Sequence, residues 1–273
     1  MTILNTILNT IFRVLLYPFE TLSPWVGLVV TAALTSVFML WVFRLTSNQA
    51  GLSAAKRRIH AGLFEMRLYQ DDLRALFAAQ RDVLRFNLTY LRHTLKPFVW
   101  LILPVVLILV QLDLRYGYKS LEPGQTALVR VRFAEPIAFA PGELRLEVPE
   151  GLRVETRPLR IPQEQEVDWR IRAEEVGTYR ISVVAGEESF VKEVLVGPRL
   201  VPRSPRRGSG WLDALLYPSE PAFAGDASVR SIEITYREER FTLWGFRMHW
   251  MVPFFVLSVA IAFALRKPFK VVI

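Results

Sequence analysis

The sequence predicts an α-helical membrane protein with three transmembrane helices, a cytoplasmic helical hairpin and an extracytoplasmic all-β sandwich of immunoglobulin-like type. Three observations predict it. Apolar stretches lie at 21–43, 97–114 and 248–265. Positive charge gathers beside their ends: residues 44–97 hold ten Lys/Arg against four Asp/Glu, and Arg266, Lys267 and Lys270 follow the last stretch. Between the second and third stretches, short runs alternate apolar and polar residues, the signature of half-buried strands. The net charge of +8 therefore sits where a membrane protein marks its cytoplasmic side. A nucleic-acid partner would need a basic groove or motif of its own, and none is visible, so no nucleic acid is expected.

Residues 1–20 read as an interfacial amphipathic helix. Ile3, Leu4, Ile7, Leu8, Ile11 and Leu15 recur at spacings of three and four, with Asn5, Thr6, Asn9, Thr10 and Arg13 on the remainder, and Pro18 ends the run. It lacks the basic start and small-residue cleavage site of a signal peptide. A fourth transmembrane helix is the competing reading; it would need a tight hairpin at Pro18–Pro24 and would invert the N-terminus.

Thr21 to Phe43 carries no charge over 23 residues, about 35 Å of helix against a hydrocarbon core of roughly 30 Å. The second and third spans are shorter, and Lys96 and Arg115 extend the second by snorkelling. Three buried helices of a soluble protein would show polar faces, which these segments lack. Placing both basic clusters in the cytoplasm with three spans puts the N-terminus outside and the C-terminus inside. A bacterial inner membrane is the expected location.

Residues 44–96 read as a cytoplasmic helical hairpin. Leu52, Ile59, Leu63 and Met66 mark the first helix, and Leu73, Leu76, Phe77, Val83, Leu84, Leu88 and Leu91 mark the second. Asp71 is the expected N-cap between them. Two helices alone bury little, so a coiled-coil-like hairpin of this kind is expected to move unless a partner covers it.

Six runs over residues 120–198 read as strands: 126–133, 143–148, 152–156, 166–172, 178–185 and 190–196, separated by Pro141-Gly142, Pro149-Glu150-Gly151, Val176-Gly177 and Gly186. Trp169 is the expected core aromatic, with Val129, Val131, Leu146, Ile171, Tyr179, Ile181 and Val194. Residues 199–247 read as a linker with a short amphipathic piece, Trp211–Tyr217, and a last strand at 231–236. The amphipathic piece either lies on the membrane surface or packs on a partner. Trp244, Phe246 and Trp250 are expected to form an aromatic belt at the outer interface.

The chain offers little catalytic chemistry. There is no cysteine, hence no disulfide or thiolate metal site. His60, His93 and His249 are scattered, no phosphate-cradling glycine loop is present, and Asp71-Asp72 is better read as capping than as metal ligation. A non-enzyme without metal or cofactor is expected.

The layout nevertheless resembles a known family. An outside interfacial helix, a first span, a cytoplasmic hairpin and two further spans are similar to the YidC/Oxa/Alb insertase superfamily. The nearest plan is its three-span branch, which includes the third subunit of the ER membrane complex and the archaeal YidC-like proteins. The resemblance runs from Trp25 to about Leu112. Thr46-Ser47-Asn48-Gln49 resembles the family's polar T-x-K-Q, Lys56-Arg57-Arg58 opens the hairpin, and Tyr69-Gln70-Asp71-Asp72 resembles its Y-x-D-D. Two features depart from the family. The groove arginine's place falls on Met39, leaving only Arg44 nearby, and a β domain is inserted between the last two spans.

The resemblance implies a polar intramembrane groove, for which the candidates are Thr31, Thr35, Ser36, Arg44 and Gln111. Ser258 in the third span and the Asp113–Arg115 pair are further polar features. Intramembrane polar residues face protein or water, although Ser and Thr can satisfy themselves on a carbonyl one turn back. The expected function is an insertase or membrane chaperone acting on nascent membrane proteins in the lipid bilayer, that is, protein transport. The alternatives are a structural or docking subunit among other envelope-complex subunits and an accessory subunit of a transporter.

Overall fold

The computed structural model describes residues 2–20, 22–68, 71–136, 143–198, 200–243, 245–269 and 271. Thr21, Tyr69, Gln70, Pro141, Gly142, Trp244 and Lys270, all singled out in the sequence, lie outside them. Helices are α1 (Thr2–Leu16), α2 (Pro24–Thr46), α3 (Gln49–Leu68), α4 (Leu73–Tyr116), α5 (Trp211–Leu216) and α6 (Met251–Leu265). Strands are β1 (Tyr118–Lys119), β2 (Thr126–Phe133), β3 (Leu144–Glu147), β4 (Leu152–Val154), β5 (Leu159–Ile161), β6 (Glu166–Ala173), β7 (Gly177–Ala185), β8 (Glu188–Val196), β9 (Arg206–Gly208), β10 (Val229–Ile234), β11 (Arg237–Glu238), β12 (Arg240–Leu243) and β13 (Phe246–His249).

The chain divides into two compact units, Met1–Gly27 with Leu109–Trp250, and Leu28–Ile108 with Met251–Ile273. Helices α2 and α4 are both long and apolar enough to cross a membrane; α6 is apolar but only 15 residues long.

In the first unit, strands β4, β6, β2, β10 and β9 form one antiparallel sheet, with β5 also on β6, and β3, β7 and β8 form a second. Alternation in the sequence sets the faces. In β2, Ala127, Val129, Val131 and Phe133 are buried, whereas Arg130 and Arg132 point away to Glu166 at 2.8 Å. Register then builds layers: Val129 lies opposite Trp169 on one side and Ile234 on the other, and Val131 opposite Val167 and Ile232. Both sheets feed one core with Ile181, Val183 and Val194. A fully buried Trp or Phe of this kind is worth about 3–5 kcal/mol against Ala. Gly151 turns the chain between β3 and β4 at φ +96°, and the Tyr179 ring stands where a Cβ would be. Only glycine meets both demands.

Here the structure redraws the sequence boundaries. Strand β10, expected inside the linker as 231–236, lies in the middle of the larger sheet between β2 and β9. The unit of β-structure therefore reaches well past residue 198, and a piece ending at 197 would lack a central strand. Arg203 and Lys192 anchor the intervening segment. Arg203 is buried and donates to the Arg115 carbonyl at 3.1 Å and the Tyr118 carbonyl at 2.6 Å. Met248 and His249, expected to open the third span, belong to β13, paired with β12. Trp250 is fully buried and donates its indole N–H to Asp113 at 3.0 Å, so it is no interfacial belt residue. Phe246 is exposed.

In the second unit, α3 and α4 form the expected hairpin. A Cβ on Gly62 would collide with Val83, so the helices meet closely at that level. Arg58 lies 5.9 Å from the Phe86 ring centre, a cation–π contact. Asn48 caps α3 by accepting the Gly51 amide at 2.9 Å, and Asp72, not Asp71, caps α4 by accepting the Arg74 amide at 2.9 Å. The second hairpin helix and the second apolar stretch are one helix of 44 residues, with Pro97 and Pro104 inside it. Each proline removes one backbone donor, a loss that neighbouring turns tolerate in long apolar helices.

Candidate functional site

The candidate residues fall into two groups, one in each unit. On α2, Thr31, Thr35 and Ser36 are all buried. Thr31 and Thr35 share a helix face because residues four apart are neighbours, and Ser36 follows Thr35 in the chain. Thr31 donates its hydroxyl to the Leu28 carbonyl at 3.0 Å. Ser36 bonds the Ala32 carbonyl at 2.6 Å and the Ser258 carbonyl of α6 at 2.9 Å. Satisfying a hydroxyl on the preceding turn is the ordinary way for an apolar helix to carry one. The Ser36–Ser258 bond adds a tie between α2 and α6. The Ser258 hydroxyl itself is buried and has no protein partner among the described residues.

Arg44 does not join this group. It stands exposed in the last turn of α2, where a cation interacts well with the C-terminal end of the helix dipole. Thr46 donates to the Val42 carbonyl at 2.8 Å, Asn48 caps α3, and Gln49 donates to the Ser47 hydroxyl. The polar patch Thr46-Ser47-Asn48-Gln49 is thus engaged in turning the chain from α2 into α3.

Gln111 belongs to the first unit, buried, and donates its amide N–H to the Asn9 side-chain oxygen at 2.7 Å. Asn9 in turn donates to the Pro218 carbonyl at 2.8 Å, and Asn5 to the Ala214 carbonyl at 2.7 Å. The partner of the polar face of α1 is therefore α5 and the residues after it. Ile7, Ile11 and Val14 of α1 and Trp211, Leu212 and Leu216 of α5 remain exposed. The side chains of Ile3 and Leu4 lie outside the described residues.

Asp113 and Arg115 are not partners. Two residues apart on a helix they face different ways. Asp113 accepts from Trp250, whereas Arg115 is buried with Glu20 at 4.0 Å and the Leu200 carbonyl at 3.3 Å. A small cavity of about 10 Å³ adjoins it, lined by Leu16, Phe19, Tyr116 and Leu200, about the room of a single water.

Sequence reasoning did not single out the most enclosed charge among the described residues of the first unit. Lys192, at an alternating position of β8, is completely buried against Glu220, and it also donates to the Ser204 carbonyl at 2.7 Å. Glu220 accepts the Glu193 amide at 2.9 Å. Burial pushes the Lys192 ammonium below its ordinary value, with Glu220 opposing that shift. Arg203 is likewise lowered, to about 10, by burial. These groups pin residues 200–228 to the strands and offer no accessible nucleophile or acid. Among the described residues no group of three or more His, Cys, Asp or Glu could hold a metal ion.

The fold and these sites define a protein of apolar membrane-length helices joined to an antiparallel β-structure, with Thr31, Ser36 and Gln111 bonded internally. Comparison with protein-family models, curated proteins and solved structures finds no match.

Proposed function

We propose that this chain is a membrane-anchored docking subunit of a larger envelope complex, without enzymatic activity. In this reading α2, the apolar half of α4, and α6 cross the bilayer, the α3–α4 hairpin stands in the cytoplasm, and an immunoglobulin-like β domain lies outside. The exposed apolar residues of α1 and α5 would rest in the outer interface. The observation that carries the reading is the division of polar and apolar groups. Thr31, Ser36 and Gln111 spend their hydrogen bonds inside the protein, while Phe77, Leu84, Leu88 and Leu91 of the hairpin stand in the open. The first arrangement serves rigidity and the second serves contact.

A second reading, an insertase-like chaperone of the YidC/Oxa type, draws support from the length of α6. Fifteen residues span about 22 Å, short of the roughly 30 Å core, which would thin the bilayer and ease passage of polar segments. A photoreactive amino acid at position 31, 35 or 36 separates the two readings. The docking reading expects no adduct to a stalled nascent membrane protein from these positions. A client adduct at any of them would replace it with the insertase reading. Single cysteines at Ser53 and Ser189 test the topology, since the chain has none of its own. Labelling of position 189 from the cytoplasm would overturn the orientation.

A further inference from the structure

We propose that the outward face of α4 between Phe77 and Leu95 is the binding surface for an acidic amphipathic helix of a partner protein. The proposal rests on the docking reading above and specifies its cytoplasmic contact. The inward face of this stretch is accounted for: Ala79, Val83, Phe86 and His93 are the residues nearest α3. On the far side, Phe77, Leu84, Leu88, Leu91 and Leu95 are exposed, Leu88 by 69%. Their spacings of seven, four, three and four residues are those of a heptad seam, which is the pattern one helix presents to another.

Charge identifies the occupant. Residues 73–96 hold five Lys/Arg and one acid. At 100° per residue Arg74, Arg81, Arg85, Arg92 and Lys96 fall in one row along a single flank of the seam, and Asp82 falls on the opposite side of the helix. The other flank carries neutral Gln80, Asn87 and Thr94. A helix with leucines on one face and carboxylates beside them would cover the seam and neutralise the row. A second copy of this chain offers neither advantage. In parallel pairing each cationic row meets Gln80, Asn87 and Thr94, and in antiparallel pairing it meets the same row. A lipid surface would reach only the Pro97 end of the seam. Helix α4 runs unbroken from Leu73 through Pro97 into its apolar half. Leu88 therefore stands about 14 Å, and Phe77 about 30 Å, along the axis beyond Pro97. A bend at Pro97 tilts this stretch but does not lay it on the bilayer.

The test uses the full chain in phosphatidylcholine nanodiscs and two labelled synthetic helices of about four heptads. Both helices have leucine at the seam positions; one carries glutamate and the other lysine on both flanks. Saturable binding of the glutamate helix is expected, with the lysine helix weaker by about tenfold or more. Leu88→Ser with Leu91→Ser should abolish binding, and Arg85→Glu with Arg92→Glu should invert the preference. All four side chains are exposed, and unchanged circular dichroism verifies the fold. Equal binding of both helices, no saturable binding, or an unchanged preference in the charge-reversed variant would overturn the proposal. So would a seam-dependent dimer, which makes the occupant a second copy, or seam-dependent capture of phosphatidylglycerol vesicles, which makes it lipid. The photocrosslinking at positions 31–36 is independent. A client adduct there with selective peptide binding preserved removes the docking function but keeps the seam, and the converse pair of results does the opposite.

Discussion

The β-structure and the α3–α4 hairpin are built from the same kinds of residue and use them in opposite ways. In the strands Val129, Val131, Ile181 and Val194 are completely buried, and Trp169 is 2% exposed. In the hairpin Phe64, Phe77, Leu84 and Leu88 are each at least 65% exposed, though their apolar surface is as large. Residues of both sheets share one core, whereas two helices in contact leave each other's outer faces bare. The first region closes its own core; the second leaves large apolar side chains uncovered among the described residues.

The sharpest way to break this comparison is to truncate one aromatic residue in each region. Trp169→Ala should destabilise the β-structure by about 3–5 kcal/mol, whereas Phe77→Ala should change the stability of the isolated protein by no more than about 0.5 kcal/mol. Thermal unfolding of the purified full chain, followed by hydrogen exchange of β6 and α4 amides, measures both. A comparable loss at Phe77 would mean that the hairpin face is already covered.

The Lys192–Glu220 pair tests whether the segment after β8 belongs to the first region. Lys192→Met leaves the buried Glu220 carboxylate uncompensated and should cost about 3–5 kcal/mol, most of which the added change Glu220→Leu should restore. Denaturant unfolding of the single and double variants decides it; equal losses would show that the ammonium matters for shape rather than charge.

In the hairpin the effects should be smaller and local. Asp72→Ala removes the N-cap of α4 and should cost about 1 kcal/mol, read as faster exchange at the amides of residues 74–77 with strands unaffected. Protection loss spreading to β2 or β6 would contradict the independence of the two regions.

The smallest effect is a pH slope. Burial, followed by the neighbouring Glu166 carboxylate, raises the Asp168 carboxyl above its ordinary value. Between the unfolded value near about 4 and the raised folded value, the unfolded chain gives up the proton while the folded chain keeps it. The contribution is therefore present at low pH and lost as pH rises through that window. Asp168→Asn should flatten this part of the stability–pH curve, and an unchanged slope would assign it to other carboxylates.

Particular elements show how far the sequence could be read. The run Thr126–Phe133 returned as β2 with its boundaries intact, because alternation states both the conformation and the buried face. The hairpin helices were legible from their spacing and Trp169 from its place in an alternating strand. The groove candidates fared differently: their positions on α2 and α4 were legible, but Gln111 lies in one unit and Thr31, Thr35 and Ser36 in the other. Its bond to Asn9, 102 residues away, has no local signal. The strand expected at 231–236 returned as β10 at Val229–Ile234, but its place between β2 and β9 was not legible, because a six-residue run does not say which strand it will join. Lys192 shares the inward register of Phe190 and Val194, but nothing local says that Glu220 and the Ser204 carbonyl will enclose its charge.

The sequence by itself determined the type and faces of the main helices and strands, and where the excess charge collects along the chain. These follow from periodicity, turn residues and desolvation, which act over a few residues and leave their mark in the order of residue types. Only the tertiary structure decided which strands neighbour one another, which polar groups find partners, and which apolar faces go uncovered. Those depend on contacts between residues far apart in the chain, and a hydroxyl or leucine carries no record of what will stand beside it.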